Sequence, residues 1–298
     1  MTIDTLLNSI DRSQQAEEKR AAAQISALMG SVFAVLLERL LAEYRNSLNG
    51  DRLRSRLALE SRMRAINQSL IAPSTRQQIT QIFLNRFQSA ARTGHDLAYQ
   101  LLEELGEGDR PQSRTEITQD YLQQRAIESE QLIEAESNRF ASRALAILGG
   151  AIALGLGQRI VRRQLKQAYG RVVGHTQTVV DYESMTLLNL SLTEVYERRS
   201  INLVQLRSQE DESVCPICTA RNRLVYGVSD ISVPLHPRCR CYLVPFTEGA
   251  VRSGAIDRAA EQRIRTEWLD RATRVDYGLS PSEKYAGREK PPNAQWIP

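Results

Sequence analysis

The stretch Cys215-Pro216-Ile217-Cys218, followed after 17 residues by His236-Pro237-Arg238-Cys239-Arg240-Cys241, holds all 4 cysteines of a 298-residue chain. A Cys-x-x-Cys turn lets two thiolates face one ion from a tight loop, and a second cluster on a distant loop closes the shell. Zinc takes four ligands in a tetrahedron and prefers thiolate sulfur and imidazole nitrogen. Cys215, Cys218, His236, Cys239 and Cys241 compete for those places. We read the shell as Cys215, Cys218 and Cys241 with one of His236 or Cys239. If a strand begins near Tyr242, Cys239 and Cys241 lie on one face of its start. The segment is too small to bury a core of its own, so one structural Zn2+ would supply its folding energy. Disulfides or unliganded thiols are the competing readings. Cysteines packed around a histidine suit a metal better, and they point to a reducing compartment at the time of folding.

More ligand candidates than places implies a closed shell, whereas catalytic zinc keeps one position open for water. A deaminase needs a glutamate two residues after its ligand histidine, and position 238 is arginine. There is no His-Glu-x-x-His and no glycine-rich phosphate loop. His95 and His175 sit in no catalytic arrangement and read as surface or capping residues. The expectation is a structural protein, not an enzyme, without catalytic residues or a small-molecule substrate.

Upstream of the motif the texture is helical. Hydrophobic residues are 42% and charged residues 25%, the balance of a folded soluble protein. Aromatics are only 6%, and proline is sparse before residue 200. Residues 13–48 read as one helix, with Ile25, Met29, Phe33, Leu36, Leu37, Leu40, Leu41 and Tyr44 on one stripe and Asn49-Gly50 as its end. A second helix is expected over 52–70, rich in arginine. A third, over 75–105, is opened by Pro73-Ser74 and closed by the glycine- and proline-containing linker at 106–111. A fourth runs from about residue 115 to Leu148, where Gly149-Gly150 interrupts the pattern. Helical texture resumes over 159–167 and 176–199. After residue 200, strands are expected at 201–206, 224–226 and 242–244. A polar helix over 256–274 and an extended, proline-rich tail follow.

The fold class is thus mainly α, with long helices in the N-terminal two thirds, a small C-terminal α+β zinc-stabilised domain and an extended tail. The regions are 1–110, helical; 111–200, helical and leading into the small domain; 201–246, the zinc-binding sheet; and 247–298, polar helix and tail. Ala144 to Gly157 is apolar but shorter than the ~20 residues a membrane span needs. It reads as a buried helix or helix–turn–helix, with membrane contact the lesser reading. No N-terminal signal peptide is visible. The net charge of +4 is mild and gives no strong case for wholesale coating of nucleic acid. Of the 39 basic residues all but Lys19, Lys166, Lys284 and Lys290 are arginine, a fork suited to phosphate and carboxylate.

Asp211-Glu212-Ser213-Val214-Cys215-Pro216-Ile217-Cys218, a short hydrophobic hairpin, then Pro234-Leu235-His236-Pro237-Arg238-Cys239-Arg240-Cys241 and a strand closing at Pro245 resemble the C-terminal domain of the Mu F-like phage head morphogenesis family. The match covers roughly residues 170–246. The resemblance implies a minor capsid protein of a tailed phage, inside the virion head near the portal and in the host cytoplasm during assembly. Its implied partners are the portal protein, the major capsid protein and phage DNA, and its implied role is head assembly, DNA packaging or ejection. Residues 1–170 lie outside the match and are consistent with a portal- or scaffold-binding arm. The alternative is a zinc-ribbon nucleic-acid-binding protein that meets phosphates through Arg221, Arg223, Arg238 and Arg240.

Overall fold

The computed structural model describes residues 3–48, 72–107, 117–208, 215–252 and 254. The expected helices over 52–70 and 256–274 and the tail lie outside the described residues. Helix α1 spans Ile3–Leu48. It starts ahead of the expected residue 13 because Ile3, Leu6, Leu7 and Ile10 continue the apolar spacing of three and four through a polar-looking stretch. Leu6 and Leu7 are buried, and Ile3 and Ile10 pack against the same core. Helix α2 spans Pro73–Glu104, with proline in the first turn, where its missing N–H leaves nothing unpaired. It ends at Gly106, whose φ of 73° allows Glu107 N–H to reach back to Leu102 O at 2.9 Å.

Helix α3 spans Gln119–Leu154 and passes straight through Gly149-Gly150, where the sequence suggested a break. Glycine weakens a helix interior by about 1 kcal/mol. Ala144, Leu148, Ala151 and Ile152 carry a buried face across the weak point. The helix stops instead at Gly155, with φ 64°. Helix α4 spans Gln158–Arg198 as one element where two were expected. Ala168, Val172 and Thr176 are buried at a spacing of four and bridge the interval containing Gly170 and Gly174.

The chain forms two compact units, each assembled from separated stretches. One comprises Glu17–Arg86 and Asp120–Val180. Its core takes Ile25, Met29, Leu36, Leu37, Leu40, Leu41 and Tyr44 from α1, as the stripe predicts, together with Ile79, Phe83, Phe140 and Leu148. Phe33 stacks on Tyr169 at 3.9 Å, and Phe140 meets both rings edge-on. The buried Arg86 pairs with Glu17 at 2.8 Å and Glu18 at 3.5 Å. Among the described residues α1 alone is long and apolar enough to cross a membrane by length and composition, but its apolar stripe faces this core.

The other unit comprises Met1–Ala16, Phe87–Gln119 and Asp181–Pro298. It holds a three-stranded antiparallel sheet of order β2-β1-β3. The strands are β1 (Leu203–Ser208), β2 (Val225–Gly227) and β3 (Cys241–Pro245). A short helix α5 (Pro216–Arg221) follows β1, and α6 (Glu248–Arg252) follows β3. Leu206 faces Leu243 and Arg207 faces Tyr242 in the register. On β1 the apolar Val204 and Leu206 alternate with Gln205 and Arg207, yet all four are buried. The polar pair is satisfied in place. Gln205 donates to Arg223 O at 2.8 Å, and Arg207 binds Gln205 Oε1 and the Asp4 carboxylate.

Strand β3 is a sheet edge, which would leave outward carbonyls unpaired. Helix α4 closes it: Asn189 donates to Cys241 O at 3.1 Å and Tyr196 to Leu243 O at 2.9 Å. Burial raises the Tyr196 phenol well above its usual range. Gly94 of α2 lies against α4 so closely that a Cβ there would stand 2.1 Å from Leu188 O. Gly94→Ala is therefore expected to cost on the order of 2–3 kcal/mol by overpacking, read as a lower denaturant midpoint. Tyr196→Phe, which leaves a buried carbonyl unmatched, should cost about 1–3 kcal/mol in the same assay.

Candidate metal centre

The first ligand loop is a helix start. Cys215 caps α5, its sulfur accepting from Cys218 N–H at 3.4 Å, and Pro216 takes the first helical position. Thr219 N–H returns to Cys215 O at 2.9 Å. The result holds both thiols on one turn. Past α5 the chain reverses at Asn222-Arg223, with Arg223 at φ 66° and Leu224 N–H on Arg221 O. Arg223 N–H then binds Leu206 O at 2.7 Å and Leu206 N–H binds Leu224 O at 2.9 Å, fastening the loop to β1.

The second loop is a turn that feeds a strand. Cys239 N–H donates to His236 O at 3.0 Å, with Pro237 second and Arg238 third at φ 64°. Proline followed by a left-handed residue is the pattern of a type II turn. Strand β3 begins at Cys241, so the expectation of a strand near Tyr242 holds. Asn189 on the Cys241 carbonyl fixes that end of the strand.

The two loops bring all five predicted residues together. Cys215 Sγ lies 2.9 Å and Cys218 Sγ 3.0 Å from His236 Nε2, and Cys218 Sγ lies 3.6 Å from Cys239 Sγ. The donor atoms form two overlapping triads, Cys215/Cys218/His236 and Cys218/Cys239/Cys241. Cys218 belongs to both, so the structure keeps His236 and Cys239 alike in the cluster. Cys215 is half-buried and the other four are buried. All four thiols are free, and 3.6 Å is far beyond the ~2.05 Å of a disulfide bond.

The clustered thiols and the imidazole shift one another. Contact with Cys218 draws the Cys215 thiol down to about 4, against its burial, and the His236 ring assists. The same contact pushes Cys218 up, and Cys239 and Cys241 push it further. Burial works to lower His236, yet Cys215 and the negative charge of Cys239 raise it to about 9. Hydrogen bonds from neighbouring thiols and the His236 ring are what lower Cys215 and Cys239. His236 Nδ1 must donate to the Pro237 carbonyl, 2.7 Å away, which leaves Nε2 aimed at the sulfurs. A metal-bound histidine is oriented in the same way, its second ring N–H held by a carbonyl. These residues could hold a metal ion.

One partner of the centre was not visible in the motif. Arg240, between two of the cysteines, reaches Asp11 on α1, with Nε 2.7 Å from Asp11 Oδ1. Tyr242 OH donates to the same oxygen at 3.1 Å, and Gln15 to Oδ2 at 2.8 Å. Asp11 is 5% exposed. The only signal in the sequence was a carboxylate beside Leu7 and Ile10, on the apolar side of a helix. Arg240 was a candidate phosphate contact, and the structure commits it to this internal pair instead. Among the described residues His95 and His175 join no metal-ligating cluster. Both lie mid-helix and half-buried, so neither is a cap.

The fold and site define a helical protein carrying a small sheet whose loops converge on a thiol–imidazole cluster. The chain matches no protein-family model, no curated protein and no solved structure.

Removing Arg240 strands a buried carboxylate, a loss of about 3 kcal/mol or more. Arg240→Ala should therefore lower the unfolding midpoint while leaving metal content unchanged, and adding Asp11→Asn should recover much of the loss. Unfolding curves of the two single variants and the double variant measure the coupling.

Proposed function

We propose that the cluster is a structural zinc centre and that the chain is a minor capsid protein of a tailed phage, acting in head morphogenesis. The observation that carries the zinc reading is the meeting of four sulfurs and an oriented imidazole in one buried spot. The 3.6 Å between Cys218 and Cys239 sulfurs is close to the ~3.8 Å edge of a tetrahedron with zinc–sulfur bonds near 2.3 Å. Five candidate donors for four tetrahedral places would leave no position for substrate water, which supports a structural role over a catalytic one. Bound zinc would clasp α5 to the start of β3, joining loops that the sheet alone holds by few hydrogen bonds.

The phage reading rests on the Cys-Pro-x-Cys and Pro-x-His-Pro-x-Cys-Arg-Cys motif and its resemblance to the Mu F-like family. The long helices fit an arm that binds portal protein or major capsid protein within the head. The zinc-ribbon alternative loses support from Arg240, whose guanidinium is held by Asp11. Arg223 and Arg238, both exposed, are the remaining phosphate candidates most open at the knot.

Elemental analysis of reductively purified protein should give one zinc per chain. Cys218→Ser, which removes the sulfur common to both triads, should abolish that stoichiometry and unfold the sheet. Thiols that react at once with a labelling reagent in unchelated protein would defeat the zinc reading. The capsid reading has its own test: the chain should co-purify with portal or procapsids, and its absence from purified particles would count against it.

A further inference from the structure

Between Glu136 and Asp181 the chain has 7 cations and no carboxylate, and residues 144–158 carry no charge at all. This stretch forms the end of α3, the turn at Gly155 and the start of α4, all within one unit. The predicted buried helix is only half the outcome. Ala144, Leu148, Ala151 and Ile152 are buried, but Leu154 is 75% exposed and Ile160 is 38% exposed. Beside Leu154 lies a groove of about 550 Å³. Ile147, Leu154 and Leu156 give it an apolar side, and Arg143, Gln164 and Arg171 give it polar groups.

The cations differ in how they are used. Arg139 and Arg143 pair with Glu136, and Arg162 pairs with Glu38. Arg159, Arg163, Lys166 and Arg171 are exposed, and no ion pair is formed by them among the described residues. By helical spacing Ile160, Gln164, Gln167 and Arg171 share one face of α4. Uncharged apolar side chains and cations with no ion pair among the described residues therefore occupy one end of this unit, side by side.

An anionic membrane surface satisfies both features at once. Its phosphates attract cations within a Debye length, and its acyl boundary takes exposed apolar side chains. The uncharged stretch is too short to span a bilayer, which takes ~20 residues, and its buried face already belongs to the protein core. Insertion would be shallow. Duplex DNA would use the same cations but would leave Leu154 and Ile160 in water.

We propose that this hairpin end docks on anionic lipid, with Leu154 and Ile160 entering the acyl boundary and Arg159, Arg163, Lys166 and Arg171 meeting lipid phosphate. The inference does not rest on the capsid reading or on the metal centre. Full-length protein should co-sediment with vesicles containing phosphatidylglycerol and not with vesicles of phosphatidylcholine alone, and added salt should weaken the binding. Leu154→Glu should weaken it about tenfold or more, the effect of losing one buried leucine. The double change Arg163→Gln with Lys166→Gln should weaken it by a similar factor. Both variants alter exposed side chains, and unchanged circular dichroism confirms that they fold. Absence of the wild-type chain from the anionic vesicle pellet overturns the proposal. So does full vesicle binding by Leu154→Glu, because the attraction would then be electrostatic alone. Duplex DNA binding that the cation changes abolish and Leu154→Glu spares, without vesicle binding, assigns the surface to nucleic acid instead.

Discussion

Four thiols and an imidazole meet in one spot, and the loops of the small sheet converge on it. Cys215 and Cys218 come from a helix start, and Cys239 and Cys241 from a turn that becomes β3. Each loop is anchored to the sheet before it reaches the centre, the first through Leu206 and Arg223 and the second through the β1–β3 ladder. Because the loops are separated by 17 residues, an ion between them would restrain the segment that includes β2. An ion held there would cross-link loops whose apolar residues already pack into one core with α1, α2 and α4.

The sheet is also supported from outside its own stretch of sequence. Helix α4 satisfies the outward carbonyls of Cys241 and Leu243, and the start of α1 supplies Asp4 to Arg207 and Asp11 to Arg240 and Tyr242. These contacts are polar, and those to Cys241 O, Leu243 O and Asp11 are largely buried, so each of these depends on its partner being present. A fault in the N-terminal helix would be felt at the strand carrying Cys241. The sequence motif, read as a self-contained knot, gave no hint of this dependence.

The elements were legible to different degrees, for physical reasons. The α1 stripe from Ile25 to Tyr44 was visible because a buried helical face repeats every three to four residues. The start of α1 was missed because its buried Asp11 looks polar in sequence and becomes compatible with burial only once partnered. The glycines at 149 and 150 looked like a break, yet packing on either side exceeds their propensity cost. The separation of α4 into two pieces failed for the same reason at Gly170 and Gly174.

What the sequence determined by itself was which thiols and imidazole could share a metal ion, since their spacing is local to two loops, and the helical class, since periodicity is local. Tertiary structure decided which polar groups become partners. Asp11 and Arg240 stand 229 positions apart, and no local rule links them until the chain has packed. Tertiary structure likewise decided that Leu154 faces water while Leu148 faces the core, because only packing against other helices defines an inside.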